Sequence, residues 1–203
     1  MALEFLTKLA MAIARLGTWF GGLLLFAAAL LIGVEVLLRR FLGMSIPGTD
    51  ELAGYAMAIG IAWGLAFTLL RRAHVRIDSL YVLLPVPLRA LLDIVGLALF
   101  MAFMSVVTWY AWTGVFARSF QVGSRSLSRL ETPLWIPQAL WGAGLVLFLL
   151  CALLLLVRSL WALLRGRFGD VQDLIGSRSI LEETKEEVED ATTRLAAEGR
   201  NTR

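Results

Sequence analysis

The chain has 203 residues, 59% of them hydrophobic and 17% charged, with a mean hydropathy of +0.76. Soluble domains run nearer half apolar and a quarter charged, and here the apolar residues fall in four blocks of about 18 or more, the length that crosses a bilayer's hydrocarbon core. That patterning excludes an ordinary soluble globule. The net charge of +3 conceals a split: residues 1–169 carry 14 Lys/Arg against 7 Asp/Glu, and residues 170–203 carry 5 against 9. The arginines flank separate apolar runs and form no continuous patch, which excludes a nucleic-acid partner and suits lipid headgroups. Cys151 is the one cysteine and sits inside an apolar run, so there is no intrachain disulfide and no CxxC pair. It reads as a small packing residue.

In chain order, Met1 to Arg15 is a short amphipathic lead-in and Leu16 to Leu38 the first span. That span is longer than the roughly 7–15 apolar residues of a cleaved signal, so it is expected to stay. Glu35 lies near its end with Arg39 one turn on, an i,i+4 pair that lowers the cost of a carboxylate at the membrane edge. The pair fits an interfacial salt bridge or a contact with a partner helix. Arg40 follows. Ser45 to Asp50 has turn chemistry; Thr49 or Asp50 is placed to cap the next helix, and Glu51 suits its positive end.

The second span, Leu52 to Leu70, holds no charge. Its alanines and Gly54, Gly60 and Gly64 give smooth faces, as helices packed in lipid require. Gly60 and Gly64 have GxxxG spacing, with Trp63 beside them. Arg71 to Pro87 reads as a segment in the headgroup plane, with His74, Arg76 and Asp78 alternating with apolar residues and Pro85 and Pro87 ending it. The third span is Leu88 to Phe116. Asp93 is the carboxylate furthest inside an apolar run, a functional candidate by default; with Arg89 one turn before it, and Arg71 and Arg72 ending the preceding helix on the same side, the expectation is a structural ion pair. Thr132-Pro133 resembles a cap and first-position proline, and Pro137 should kink or restart the helix. Trp135 and Trp141 anchor the fourth span, which runs to about Val157. From Asp170 onward the chain is an acidic tail, helical or disordered.

With both ends on one side, nine Lys/Arg lie on that side of the membrane and five on the other, which favours cytoplasmic termini. The residues therefore define an all-α integral membrane protein: a four-helix transmembrane bundle over 1–169, both termini cytoplasmic, with short interfacial helical segments. Enzymatic chemistry lacks its parts. One histidine in a loop cannot supply paired haem ligands, paired thiols are missing, and no GxxxxGK[ST] loop occurs. No metal site or cofactor is expected. Glu35 and Asp93 both sit toward span ends, whereas a small ion-coupled carrier needs a carboxylate near the bilayer centre. A bundle of this kind supports a partner; the alternative is a self-contained channel or carrier acting as a homo-oligomer.

Across residues 16–165 the pattern resembles the small membrane subunit, DctQ type, of tripartite ATP-independent periplasmic (TRAP) transporters. The resemblance is carried by Arg39-Arg40 ending the first span, Gly43 with Ser45, Asp50-Glu51-Leu52 opening the second, and Trp63-Gly64 in its middle. Arg71 with His74-Val75-Arg76-Ile77-Asp78, and Pro133-Leu134-Trp135-Ile136-Pro137, complete it. The resemblance implies a bacterial inner-membrane protein paired with a large DctM-type membrane subunit and a periplasmic solute-binding protein. It implies sodium-gradient-driven uptake of an organic acid, with the coupling in the large subunit and this chain as brace and docking aid. On that basis Glu35, Arg39, Arg40, Glu51, Gly60, Trp63, Gly64, His74, Asp78, Asp93 and Trp135 are expected in structural or partner-facing roles.

Overall fold

The structure, a computed structural model, describes residues 2–73, 81, 84–176, 188 and 191–192. The described elements are α1 (Ala2–Leu42), α2 (Thr49–Leu70), α3 (Val86–Tyr110), a π-helical segment (Ala111–Phe116), α4 (Ala117–Val122), α5 (Trp135–Leu164) and α6 (Phe168–Ile175). Because α3, the π segment and α4 run on without a break, four rods are long and apolar enough to cross a membrane: Phe5–Leu42, Thr49–Leu70, Val86–Val122 and Trp135–Leu164. The all-α, four-span architecture read from the sequence is what is found.

The rods are longer than the apolar blocks. The lead-in and first span form one 41-residue helix, about 60 Å long. No proline interrupts it, and its first turns are held to the bundle. Ala14 is fully buried, and Arg158 Nη1 donates to Thr7 Oγ1 at 2.6 Å. That bond places the start of α1 and the end of α5 at the same end of the bundle. Pro85 and Pro87 open α3: Pro85 is extended at its N-cap and a proline occupies its first turn, where a missing N–H costs nothing; most of the headgroup-plane segment expected to end at them lies outside the described residues. The π segment, unforeseen in the sequence, carries the third rod past Phe116 until Gly123, at φ 65°, closes it. Glycine is favoured at such a left-handed stop.

Two cap expectations are corrected. Gly48 is the N-cap of α2, at φ 81° with no side-chain cap bond; Thr49 Oγ1 donates backward to the Ile46 carbonyl at 3.0 Å. Helix α5 begins at Trp135 with Leu134, not Thr132, as its N-cap, so Pro133 lies before the helix and Pro137 falls in the first turn, where N–H groups have no intrahelical acceptor. It therefore neither kinks nor restarts the helix.

Helix α5 is the hub, touching α1, α2, α3, the π segment, α4 and α6. Phe148, Cys151, Ala152 and Leu155 of α5 are buried against Ala62 and Ala66 of α2 and Ala90, Ile94 and Leu97 of α3. Cys151 is thus the packing residue it was expected to be. Small residues set the spacing. A Cβ on Gly144 would lie 2.9 Å from the Ala62 backbone, and one on Gly21 would lie 2.8 Å from the Gly60 carbonyl oxygen. In lipid, where apolar solvent removes the hydrophobic drive between helices, such backbone approach supplies the van der Waals contact that holds them.

The boundary drawn at residue 169 cuts through α6. Val171 and Ile175 are buried and the helix packs on α3 and α5, so the first residues of the acidic segment belong to the bundle.

Candidate functional site

At one end of the bundle the last turns of α1 bring Glu35 under the 43–49 connector. Its carboxylate accepts from Arg39 Nη2, from Ser45 Oγ at 2.8 Å and from the Ile46 amide at 2.6 Å; Thr49 Oγ1, whose proton goes to the Ile46 carbonyl, stands 3.5 Å away. An ionised carboxylate has about four acceptor positions, and three donors of the same chain converge on this one. The expected salt bridge is present, and Glu35 is 97% covered by its own chain while Arg39 stays exposed. Both of its oxygens are thus engaged within the chain. Its role is to fix the connector.

The neighbouring loop is fixed as well. Ser126 N donates to the Thr132 carbonyl and Leu134 N to the Ser124 carbonyl, beside an antiparallel bridge between Arg125 and Pro133. Glu51 accepts from Tyr55 Oη at 2.6 Å and faces the hydroxyls of Ser126, Ser128 and Thr132. The Leu130 side chain sits where a Cβ on Gly48 would be, 2.2 Å from Cδ1. The two loops together form a platform. Arg40, Arg118, Arg125 and Arg129 are exposed on this side, and the Leu127 side chain projects fully into the surroundings. Trp135 lies at this level edge-on to Phe120, in an aromatic ladder continuing to Phe116 and Trp112.

At the opposite end Asp93 is buried, but not through Arg89. Its Oδ2 accepts from Tyr81 Oη and from Gln172 Nε2 of α6 at 3.1 Å, while Arg89 Nε donates to the Leu84 carbonyl at 2.7 Å. The i,i+4 reading fails because Arg89 closes the turn that starts α3. Arg72 Nη1 completes the latch by donating to the Gln172 carbonyl at 3.0 Å. His74 and Asp78 lie outside the described residues.

In mid-membrane Trp63 joins three helices. Its Nε1 donates to the Leu140 carbonyl at 2.8 Å, its ring meets Phe20 edge-on, and Gly17 leaves room for it. The glycine pair behaves asymmetrically. Gly60 is buried on α1, whereas a Cβ on Gly64 would meet nothing within 4 Å. Gly60 therefore holds the chain's own helices together. The residue missed was Gly21, and a signal existed: Gly17 and Gly21 repeat the four-residue spacing on α1. Tyr81 and Gln172 carried no such signal.

The buried polar side chains among the described residues are Glu35, Thr49, Asp93, Thr108, Ser119 and Ser159. Nearest mid-span is Thr108, whose hydroxyl is spent on the Met104 carbonyl. No group of three or more His, Cys, Asp and Glu side chains able to hold a metal occurs among the described residues. By contrast, only 11% of the apolar stretch of α1 is buried, against 39% in α5.

Fold and site together define a polytopic membrane protein with a stitched platform at one end, a latch on Asp93 at the other and one span left open along its side. The family model for the DctQ component of tripartite ATP-independent periplasmic transporters matches residues 28–162, and the chain belongs to that family. No curated protein and no solved structure matches it. The chain is accordingly a TRAP transporter small permease subunit of the inner membrane, a transport component and not an enzyme. DctQ components work with a large DctM subunit and a solute-binding protein.

Proposed function

We propose that this subunit is a rigid brace for the large membrane subunit and a docking aid for the periplasmic solute-binding protein. On this reading the large subunit carries the cargo, an organic acid, and couples its uptake to the sodium gradient. The observation that carries the proposal is where the buried carboxylates of the described residues lie. The buried carboxylates lie near the ends of the bundle with donors from their own chain, and close backbone contacts fill the middle, whereas transporter ion sites are built from broken helices and free polar groups at mid-membrane. Helix α1, the span least covered by its own chain, offers the face for the large subunit through Leu9, Ile13, Leu16 and Val34, all exposed. On this reading the termini are cytoplasmic, which the arginine excess on their side supports, and the platform faces the periplasm. There Leu127, flanked by Arg125 and Arg129, forms an apolar knob between cations, a fit for an acidic rim on a binding protein.

The test is reconstitution in liposomes with an imposed sodium gradient. The chain alone should be inert, and uptake should require the large subunit and the binding protein; flux through the chain alone would overturn the reading. A cysteine at Leu16 should cross-link to the large subunit, with buried Cys151 leaving the background low.

A further inference from the structure

A groove of about 530 Å³ runs along α1 where it meets α2, lined by Arg15, Thr18, Trp19, Gly22, Leu23, Phe26 and Phe67. We propose that it is a phospholipid site, taking one acyl chain of an anionic lipid with the phosphate on Arg15. Three features select that occupant. Along the helix, Arg15 to Phe26 covers about 16 Å, close to one leaflet's share of a roughly 30 Å hydrocarbon core. The walls are apolar and the floor is bare: a Cβ on Gly22 would meet nothing within 4 Å.

The charge lies at one end only. Gly17 faces Trp63 and Gly21 faces Gly60, so α1 and α2 run antiparallel and Arg15 lies about one turn inboard of the end of α2, within reach of the headgroups by snorkelling. Its guanidinium has no ion pair or hydrogen bond among the described residues, a state costly within a membrane. Arg71, one turn beyond Phe67 and 5.6 Å over its ring, adds a second cation at the same corner. A lipid phosphate satisfies the corner while its chain fills the groove. The site is complete in this chain and needs no large subunit.

The experiment uses the delipidated full chain in mild detergent, titrated with phosphatidylglycerol carrying brominated acyl chains and read by tryptophan fluorescence. A saturable quenching component is expected, lost in Trp19→Phe. Gly22→Phe, which fills the groove, should abolish it while circular dichroism and gel filtration stay unchanged. Arg15→Gln should weaken binding about five-fold, the worth of one cation at an anionic surface, and brominated phosphatidylcholine should bind more weakly than phosphatidylglycerol. Persistence of the component in Trp19→Phe, equal affinities for Arg15→Gln and wild type, or equal affinities for the two lipids would overturn the proposal. So would its loss on binding the large subunit, since protein would then occupy the groove.

Discussion

Gly21 and Gly22 are adjacent on α1, yet alanine at the two positions should act with opposite sign. A Cβ at Gly21 would stand 2.8 Å from the Gly60 carbonyl oxygen and 2.9 Å from its Cα. Ordinary contact needs about half an ångström or more of extra room, and the obstacle is helix backbone, which cannot rotate away as a side chain would. Overpacking of this kind costs about 1–3 kcal/mol. At Gly22 the new methyl meets open space. Both substitutions gain up to about 1 kcal/mol of helix propensity, as glycine gives way to alanine, so that gain cancels in the comparison. Gly21→Ala should therefore be about 1–3 kcal/mol less stable than Gly22→Ala. The assay is equilibrium unfolding in mixed dodecyl maltoside and dodecyl sulfate micelles, followed by tryptophan emission. Equal midpoints for the two variants would refute the backbone-contact account of the α1–α2 seam.

Two further outcomes follow from the ends of the bundle. Glu35→Gln replaces an acceptor of three hydrogen bonds with a group that brings its own donors, so the 43–49 connector should loosen; faster hydrogen exchange at the Ile46 amide, with the span amides unchanged, is the check. Gln172→Leu removes a donor to Asp93 and to Tyr81 and should release α6, read as quicker tryptic cleavage at Arg165 and Arg167 with the four spans intact.

The parts of this molecule legible in the sequence are those governed by local period. Four apolar runs mark four rods, and Glu35 with Arg39 is a pair because a helix brings i and i+4 together. What was not legible depends on partners far along the chain. The donors Ser45 and Ile46 reach Glu35 across ten and eleven residues, and Gln172 reaches Asp93 across 79. A four-residue glycine spacing shows that Gly60 and Gly64 lie near one another on α2. It does not show that Gly21 would claim one and leave the other bare. Pro137 misled for a related reason: it sits at a helix beginning, where the residue that would kink a helix further along costs nothing.

The latch at Asp93 also fixes an order of events during biogenesis. Tyr81 and Asp93 leave the ribosome long before Gln172, which follows all four spans. The acid must therefore enter the membrane's edge lacking one of its eventual donors, and that donor arrives only when synthesis has passed the last rod. A nascent chain interrupted between α5 and α6 would carry a complete set of membrane crossings and an unfinished seam at that end of the bundle.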